Sequence, residues 1–385
     1  MKIKKILIPI GGRANYSSIK SLLYKLKDSE NFNLKILLFA SAILDRYGNV
    51  KEEIQNDGFN IDKEIDCIIE GETPLTMAKT TGLALIELST ALNELKPDYV
   101  FTIGDRYETM ATAIAASYMN IPLIHTMGGE VSGTIDERIR HAVTKLSDLH
   151  FPASEDAKNR ILKLGENKLN VFNVGCPRID TVKAVLEKDP KINRSQLLLR
   201  CTTQEARSTP STDDFIDFSK PFLLVSQHPV TTEFGENEHH INQTLEAIEE
   251  CDTPAVILWP NSDAGSDEVS RGMRKWRERT KFTKMHFFKD LDNSLYIKLM
   301  AATGCLVGNS SSGIREGAFI GTPVVNIGTR QNNRERGANV IDVDPKKSLI
   351  VEAIKKQLNT GRYPRNSIYG DGSASDKIIK ILKKI

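Results

Sequence analysis

The sequence predicts an α/β fold built from two parallel-sheet domains. Three observations lead there. The chain has 385 residues, beyond the size at which one hydrophobic core keeps growing. Short apolar runs alternate with longer helical patterns, as in parallel strands joined by right-handed crossovers. The alternation lapses once, between about residues 187 and 219, and then resumes.

In the first series, residues 6–10, 34–39, 99–103, 122–125, 149–152 and 171–174 read as strands of a sheet covered on both faces. Residues 76–95, 107–118, 135–147 and 155–164 carry helical patterns between them. The polar stretch that follows, including 201–212, reads as the domain junction and an exposed loop. A second series of strands falls at 222–226, 255–259, 284–288, 305–307 and 324–327. Residues 373–384 read as a last helix, with Ser375 a plausible N-cap.

Composition narrows the function. Hydrophobic residues make up 40% of the chain and charged residues 26%, which fits a soluble globular protein. A net charge of +2 gives no case for a nucleic-acid or membrane surface. No apolar run approaches the roughly 20 residues that span a bilayer. The start, Met1 to Ile10, has a signal-peptide look, but its apolar part is short and lacks a small-residue cleavage site. It reads as a buried first strand. Five scattered cysteines without CxxC spacing point away from disulfides and zinc and suit a reducing cytoplasm.

Doubly wound domains bind ligands outside the carboxyl ends of their strands, and two facing domains would make the cleft between them the site. Five loops fall there. Gly308 to Glu316 runs from a strand through a small-residue turn into a helix. Ser310, Ser311, Ser312 and Gly313 could cradle a pyrophosphate, with Glu316 about one turn on to accept from a ribose diol. A Ser/Gly turn without a ligand has the same pattern. Gly11 to Ser18 lacks GxGxxG spacing, but Arg13 can fork onto a phosphate or stand as a surface arginine. Asp105 ends a strand, suited to proton transfer and equally to capping the next helix. The loop from His125 to His141 crowds Glu130, Asp136, Arg140 and His141 around a Gly-Gly turn. Asp136 and Arg140 share a helix face, as a functional pair or a solvated one. His228 and Arg330, each just past a strand, could donate to phosphate or be structural.

Together these stretches resemble the UDP-N-acetylglucosamine 2-epimerase family, and within it the hydrolysing branch of the sialic and legionaminic acid pathways. The matching segments are GRANYS, GDRYETMATAIAA, GGEVSGTIDERIRHAVTKLSD, VGCPRID, QHP, GNSSSGIREGAFIGTPVVNIGTRQ and YGDGSAS. The resemblance implies a glycosyltransferase-B architecture of two facing Rossmann-like domains, 1–183 and 184–369, with 370–385 returning to the first. It implies chemistry without a redox cofactor, so none is expected, and no metal cluster is visible in the sequence. UDP leaves by elimination to a 2-acetamidoglucal, and water then adds to C1 with inversion at C2. By default this converts UDP-GlcNAc to free ManNAc and UDP. The alternative donor is UDP- or GDP-N,N'-diacetylbacillosamine, giving 2,4-diacetamido-2,4,6-trideoxymannose. A glycosyltransferase of the same fold and a silent nucleotide-sugar binder are rival readings.

Carried over, Asp105 and Asp136 become acid/base candidates, with Glu130 beside them. Arg106, Arg140 and His141 would position the sugar or tune those carboxylates. Arg13, Ser17, His228, Ser310, Ser311 and Arg330 would bind the nucleotide diphosphate, and Glu316 the ribose. Family resemblance also implies a homodimer or tetramer. Two residues depart from the pattern. Met127 stands where an acidic residue is common, and Ser18 where lysine is common. A thioether transfers no proton, so Glu130 or His125 would take that role. A less polar sugar would suit Met127.

Overall fold

The computed structural model describes residues 3–44, 49–71, 73–192, 216–261, 263–280, 283–289 and 291–385. The stretch 201–212, expected as an exposed loop, lies outside the described residues. The chain divides into two compact units. One comprises Met1–Val131, Ile135–Thr181 and Tyr369–Ile385, the other Ser132–Thr134 and Val182–Ile368.

The first unit is built on strands β1 (Lys4–Ile10), β2 (Phe32–Phe39), β3 (Lys63–Ile65), β4 (Tyr99–Ile103), β5 (Leu123–Thr126) and β6 (Leu149–Phe151). They form one parallel sheet in the order β3-β2-β1-β4-β5-β6. The strand order reverses between β1 and β4, so the loops leaving those strands part at a switch point. The sheet's core includes Leu7, Leu37, Val100 and Leu123, each without exposed surface. That burial on both faces explains the continuous apolar runs.

The second unit repeats the plan with β7 (Leu223–Ser226), β8 (Ala255–Leu258), β9 (Met285–Phe288), β10 (Cys305–Gly308), β11 (Val324–Ile327) and β12 (Val340–Val343). Their order is β12-β11-β10-β7-β8-β9, all parallel. Its switch point lies between β7 and β10, where Ser226 pairs with Gly308. β3 and β12 escaped the sequence reading. Both are edge strands with charged residues in them, Lys63 and Glu64 in one and Asp342 in the other, as edges that must resist pairing often have.

Three local expectations change. Residues 11–18 do not form an open loop, because a helix starts at Arg13 and runs to Lys27. Tyr16, Ile19, Leu22, Leu23 and Leu26 give it a buried face at helical spacing. Residues 171–174 do not extend into a strand. Only a single bridge joins Val171 to His150, and Gly175, at φ 86°, turns the chain away.

In the last helix, Ala374–Leu382, the N-cap position falls on Ser373 and not on Ser375, and the Ser373 side chain makes no capping bond. The helix's free N–H groups are met from elsewhere in the chain. The Asp180 carboxylate accepts from Ala374 N at 2.9 Å and Ser375 N at 2.7 Å. Ser21 Oγ adds a contact to Ser375 Oγ at 2.8 Å. The four described cysteines, Cys67, Cys176, Cys251 and Cys305, are free thiols. No described helix is long and apolar enough to cross a membrane.

Asp180 therefore docks the C-terminal helix. Asp180→Ala should cost about 1–2 kcal/mol, as the loss of a carboxylate cap does. Its signature would be faster limited proteolysis within residues 370–385. An unchanged cleavage rate would show that apolar contacts alone hold the helix.

Candidate functional site

In the first unit the polar side chains collect where β1, β4 and β5 end. Gly104, at φ 71°, turns the chain out of β4, and Asp105 follows. Asp105 does not cap the next helix, Tyr107–Tyr118. The cap position belongs to Arg106, without a side-chain cap bond. Asp105 instead accepts two bonds from Arg140, from Nε at 2.9 Å and from Nη2. The third guanidinium nitrogen, Nη1, donates to the Glu130 carbonyl oxygen at 2.5 Å.

Arg140 lies on the helix Ile135–Lys145 and has no exposed surface. Burial pulls its pKa down, but Asp105 and then Glu130 outweigh that, and the net shift is upward. It is a permanent buried cation. Glu130 is itself buried. Asp136, one turn earlier, adds to the same negative field. Beside its electrostatic interaction with Asp136, Arg140 makes a fork onto Asp105. His141 is lowered by burial first and by Arg140 second, so its ring is neutral near pH 7.

Arg106 folds back, and its Nε donates to Glu108 Oε1 at 2.6 Å. Glu108 is 1% exposed and was missed from sequence. It presses on the turn after β1, for a Cβ on Gly11 would sit 2.5 Å from Glu108 Cγ. Arg13 opens the helix beyond that turn and is half-buried. Ser17 is buried inside that helix, where its hydroxyl donates to the Ala14 carbonyl at 3.2 Å. Its hydroxyl serves its own helix. Met127 is 3% exposed, at φ 60°. Its sulfur accepts from the Cys176 thiol at 3.5 Å.

In the second unit the corresponding cluster forms where β7 and β10 end. Gly308, at φ 132°, brings its backbone so close to β7 that a Cβ would meet the Ser226 carbonyl oxygen at 2.3 Å. Asn309 then clasps His228. Its Oδ1 accepts from His228 N at 2.7 Å, and its Nδ2 donates to His228 O at 2.9 Å. His228 Nδ1 accepts from Asn261 N at 3.2 Å. In the neutral ring Nε2 therefore carries the proton and is a donor.

The serine turn is partly self-satisfied. Ser310 Oγ caps the short helix Ser311–Ile314, accepting from Ser312 N. Ser312 is buried, with its hydroxyl 2.6 Å from Tyr296 OH. Gly313 packs on Val324. Ser310 and Ser311 keep exposed surface. The helix breaks at Arg315, so Glu316 begins a second piece, Glu316–Ile320, and does not lie one turn into the first. Arg330 Nη1 donates to Asn309 O at 3.3 Å, and Nη2 lies 3.6 Å from Asp263. Asn309, Asn261 and Asp263 were missed. The only signal for them was amide and carboxylate residues at strand ends. Among the described residues no group of three His, Cys, Asp or Glu is placed to hold a metal ion.

Two doubly wound units, each with polar loops gathered at its own switch point, define a protein of the Rossmann-like α/β class. The chain belongs to the UDP-N-acetylglucosamine 2-epimerase family, which matches residues 24–383. It is similar to a UDP-N,N'-diacetylbacillosamine 2-epimerase (hydrolyzing) of Legionella pneumophila, at 33% identity over 100% of this chain and 96% of that one. It is also similar to the polysialic acid biosynthesis protein P7 of Escherichia coli, at 32% identity over 91% of this chain and 85% of that one. A solved UDP-GlcNAc 2-epimerase from Neisseria meningitidis shares the fold, with TM-score 0.80, 20% identity and coverage of 99% and 100%.

Removing one partner of a buried ion pair leaves the other uncompensated. Arg140→Met should destabilise by about 3 kcal/mol, and adding Asp105→Asn should restore part of it. A double-mutant cycle in urea measures the coupling. Additive losses would mean the two side chains act separately.

Proposed function

We propose that this chain is a hydrolysing 2-epimerase of a UDP-activated 2-acetamido sugar. The clasp of Asp105, Arg140 and Glu130 at the ends of β4 and β5 carries the reading. A carboxylate fixed by a buried guanidinium is positioned to take or return one proton repeatedly. In the proposed reaction the C2 proton leaves to a base as the C1–O bond to UDP breaks, giving a 2-acetamidoglucal. Water then adds its oxygen to C1, and a proton returns to C2 on the opposite face. The free 2-epimer and UDP are released, with no change of oxidation state. Asp105 is the first candidate for proton transfer, with Glu130 and Asp136 as the second carboxylate. His228, through Nε2, Arg330, Ser310 and Ser311 would hold the diphosphate, with Arg13 as a further cation. Glu316 would take the ribose.

The donor we favour is the less polar one, a UDP-2,4-diacetamido-2,4,6-trideoxy sugar. The buried thioether of Met127 supports it, as do the relatives from Legionella pneumophila and from Campylobacter jejuni. The second is a GDP/UDP-N,N'-diacetylbacillosamine 2-epimerase (hydrolyzing), 30% identical over 89% of this chain and 85% of that one.

Proton NMR of the purified protein with UDP-N,N'-diacetylbacillosamine, its GDP counterpart and UDP-GlcNAc would test this. Release of the free 2-epimer is expected, fastest from the UDP-diacetamido donor. Tight UDP binding with no turnover of any donor would overturn the enzyme reading, and turnover that requires an acceptor would indicate a transferase. Asp105→Asn should lower kcat by at least about 1,000-fold with UDP affinity nearly intact. His228→Ala should weaken UDP binding by about tenfold through the lost donor. Met127→Glu should shift the ratio of kcat/KM towards UDP-GlcNAc. That ratio is the readout because a carboxylate in this buried place also costs stability; an unchanged ratio would remove Met127 from donor choice.

A further inference from the structure

The Asp105–Arg140 pair joins the end of β4 to the helix Ile135–Lys145, and a second bridge runs beneath it. His125, on β5, has no exposed surface. Its Nε2 stands 2.8 Å from the Gly104 carbonyl oxygen. A carbonyl only accepts, so Nε2 carries the proton. Nδ1 then presents a lone pair 3.3 Å from the Thr144 hydroxyl. The same hydroxyl lies 2.9 Å from the Arg140 carbonyl oxygen. One imidazole thus reaches the residue before Asp105 and, on its other side, the hydroxyl of Thr144, one turn past Arg140 on the same helix; that hydroxyl's single proton serves either Nδ1 or the Arg140 carbonyl at a time.

The surroundings fix this ring in place. Gly104 sits at φ 71°, so the turn that aims its carbonyl at His125 also sets where Asp105 begins. A Cβ on Gly128 would lie 2.8 Å from His125 Nδ1 and 2.9 Å from Thr144 Oγ1. The Gly-Gly turn therefore rests directly on the bridge. Burial chiefly lowers the ring's pKa, to about 4; the Gly104 carbonyl and Asp105 oppose that, while His150 and Arg140 add to it.

We infer that His125 is a positioning residue for the proposed reaction. Its uncharged imidazole fixes the spacing between the Gly104–Asp105 turn and Arg140, and so the direction of the Asp105 carboxylate, and it exchanges no proton with substrate. The inference rests on the proposed role of Asp105. It also answers what replaces the acidic residue usual at Met127: His125 is closed to that role, and Glu130 remains for it.

The test compares His125→Leu, His125→Gln and Thr144→Val in the full chain. Leucine fills the volume without hydrogen bonds, whereas glutamine can place an amide N–H towards the Gly104 carbonyl. Expected for His125→Leu is a fall in kcat of at least about 50-fold, with donor KM and UDP affinity within about twofold. His125→Gln should recover kcat to within about tenfold of the natural chain, and Thr144→Val should lower it about fivefold. An active His125→Leu would overturn the inference. So would a folded His125→Gln as inactive as the leucine variant, since that marks proton transfer by the ring.

Histidine 15N NMR gives a readout independent of turnover. A neutral, Nε2-protonated His125 should persist from about pH 5.5 to 8, and a ring that titrates across that range would overturn the inference. If the natural chain turns over no donor, the enzyme reading falls by itself and this spectrum still decides whether His125 is a fixed neutral bridge. If His125→Leu does not fold, Thr144→Val and the spectrum carry the test.

Discussion

A guanidinium without access to water shapes the first unit. Moving a charge from water into a protein interior costs several kcal/mol unless close partners replace the solvent. Arg140 is 0% exposed, and its fork is answered by Asp105 on one side and the Glu130 carbonyl on the other. The three residues come from the end of β4, the loop after β5 and the helix Ile135–Lys145, so satisfying one cation fixes three segments. The loop must bend sharply to bring its carbonyl in. It does so at Gly129, φ 79°, where a Cβ would strike the Ala157 carbonyl oxygen at 2.3 Å. An exposed pair such as Lys158–Glu155 could not impose this order, because water competes for both partners.

The second unit solves the same geometric problem without a central charge. Its two switch-point loops are tied by the neutral amide of Asn309, which meets both the N–H and the C=O of His228. An amide costs far less to bury than an ion, and it leaves the local field to the cations. One carboxylate there, Asp263, is engaged by Asn261 Nδ2 at 2.5 Å and faced by Arg330 at 3.6 Å. A cluster offered to an anionic ligand works best when its own carboxylates are already paired. The contrast follows the proposed division of labour, in which one cluster transfers protons and the other holds a diphosphate.

The sheets were legible because parallel strands buried on both faces are apolar without interruption, and β4 and β11 fall where the runs fall. What sequence pattern missed were two edge strands, β3 and β12, where charge hides the apolar signal, and the cap of the last helix. That helix is capped by Asp180, nearly 200 residues away in the chain, and no local rule sees such a partner. In the candidate site, the ionisable residues were visible as types at strand ends, but their pairing was not. Asp105 looked as much like a helix cap as a site carboxylate. Only the buried position of Arg140, a property of the whole sheet, separates the two.

The same limit applies to hydroxyls. Ser17, Ser310, Ser311 and Ser312 read alike as donors, yet Ser17 serves its own helix and Ser312 a half-buried tyrosine, whereas Ser310 and Ser311 reach the surface. A short side chain that can satisfy its own backbone does so wherever burial denies it water. Met127 shows the complementary case. It holds an unfavourable left-handed φ of 60° and spends its side chain on packing, with the Cys176 thiol at its sulfur and its methyl 4.0 Å from where a Gly104 Cβ would stand. A thioether there brings no charge to the turn that leads into Asp105. Under the proposed function, proton transfer then falls on Asp105 and the carboxylates after the Gly-Gly turn. Under the same proposal, an apolar residue at this position would favour a sugar with fewer hydroxyls to solvate.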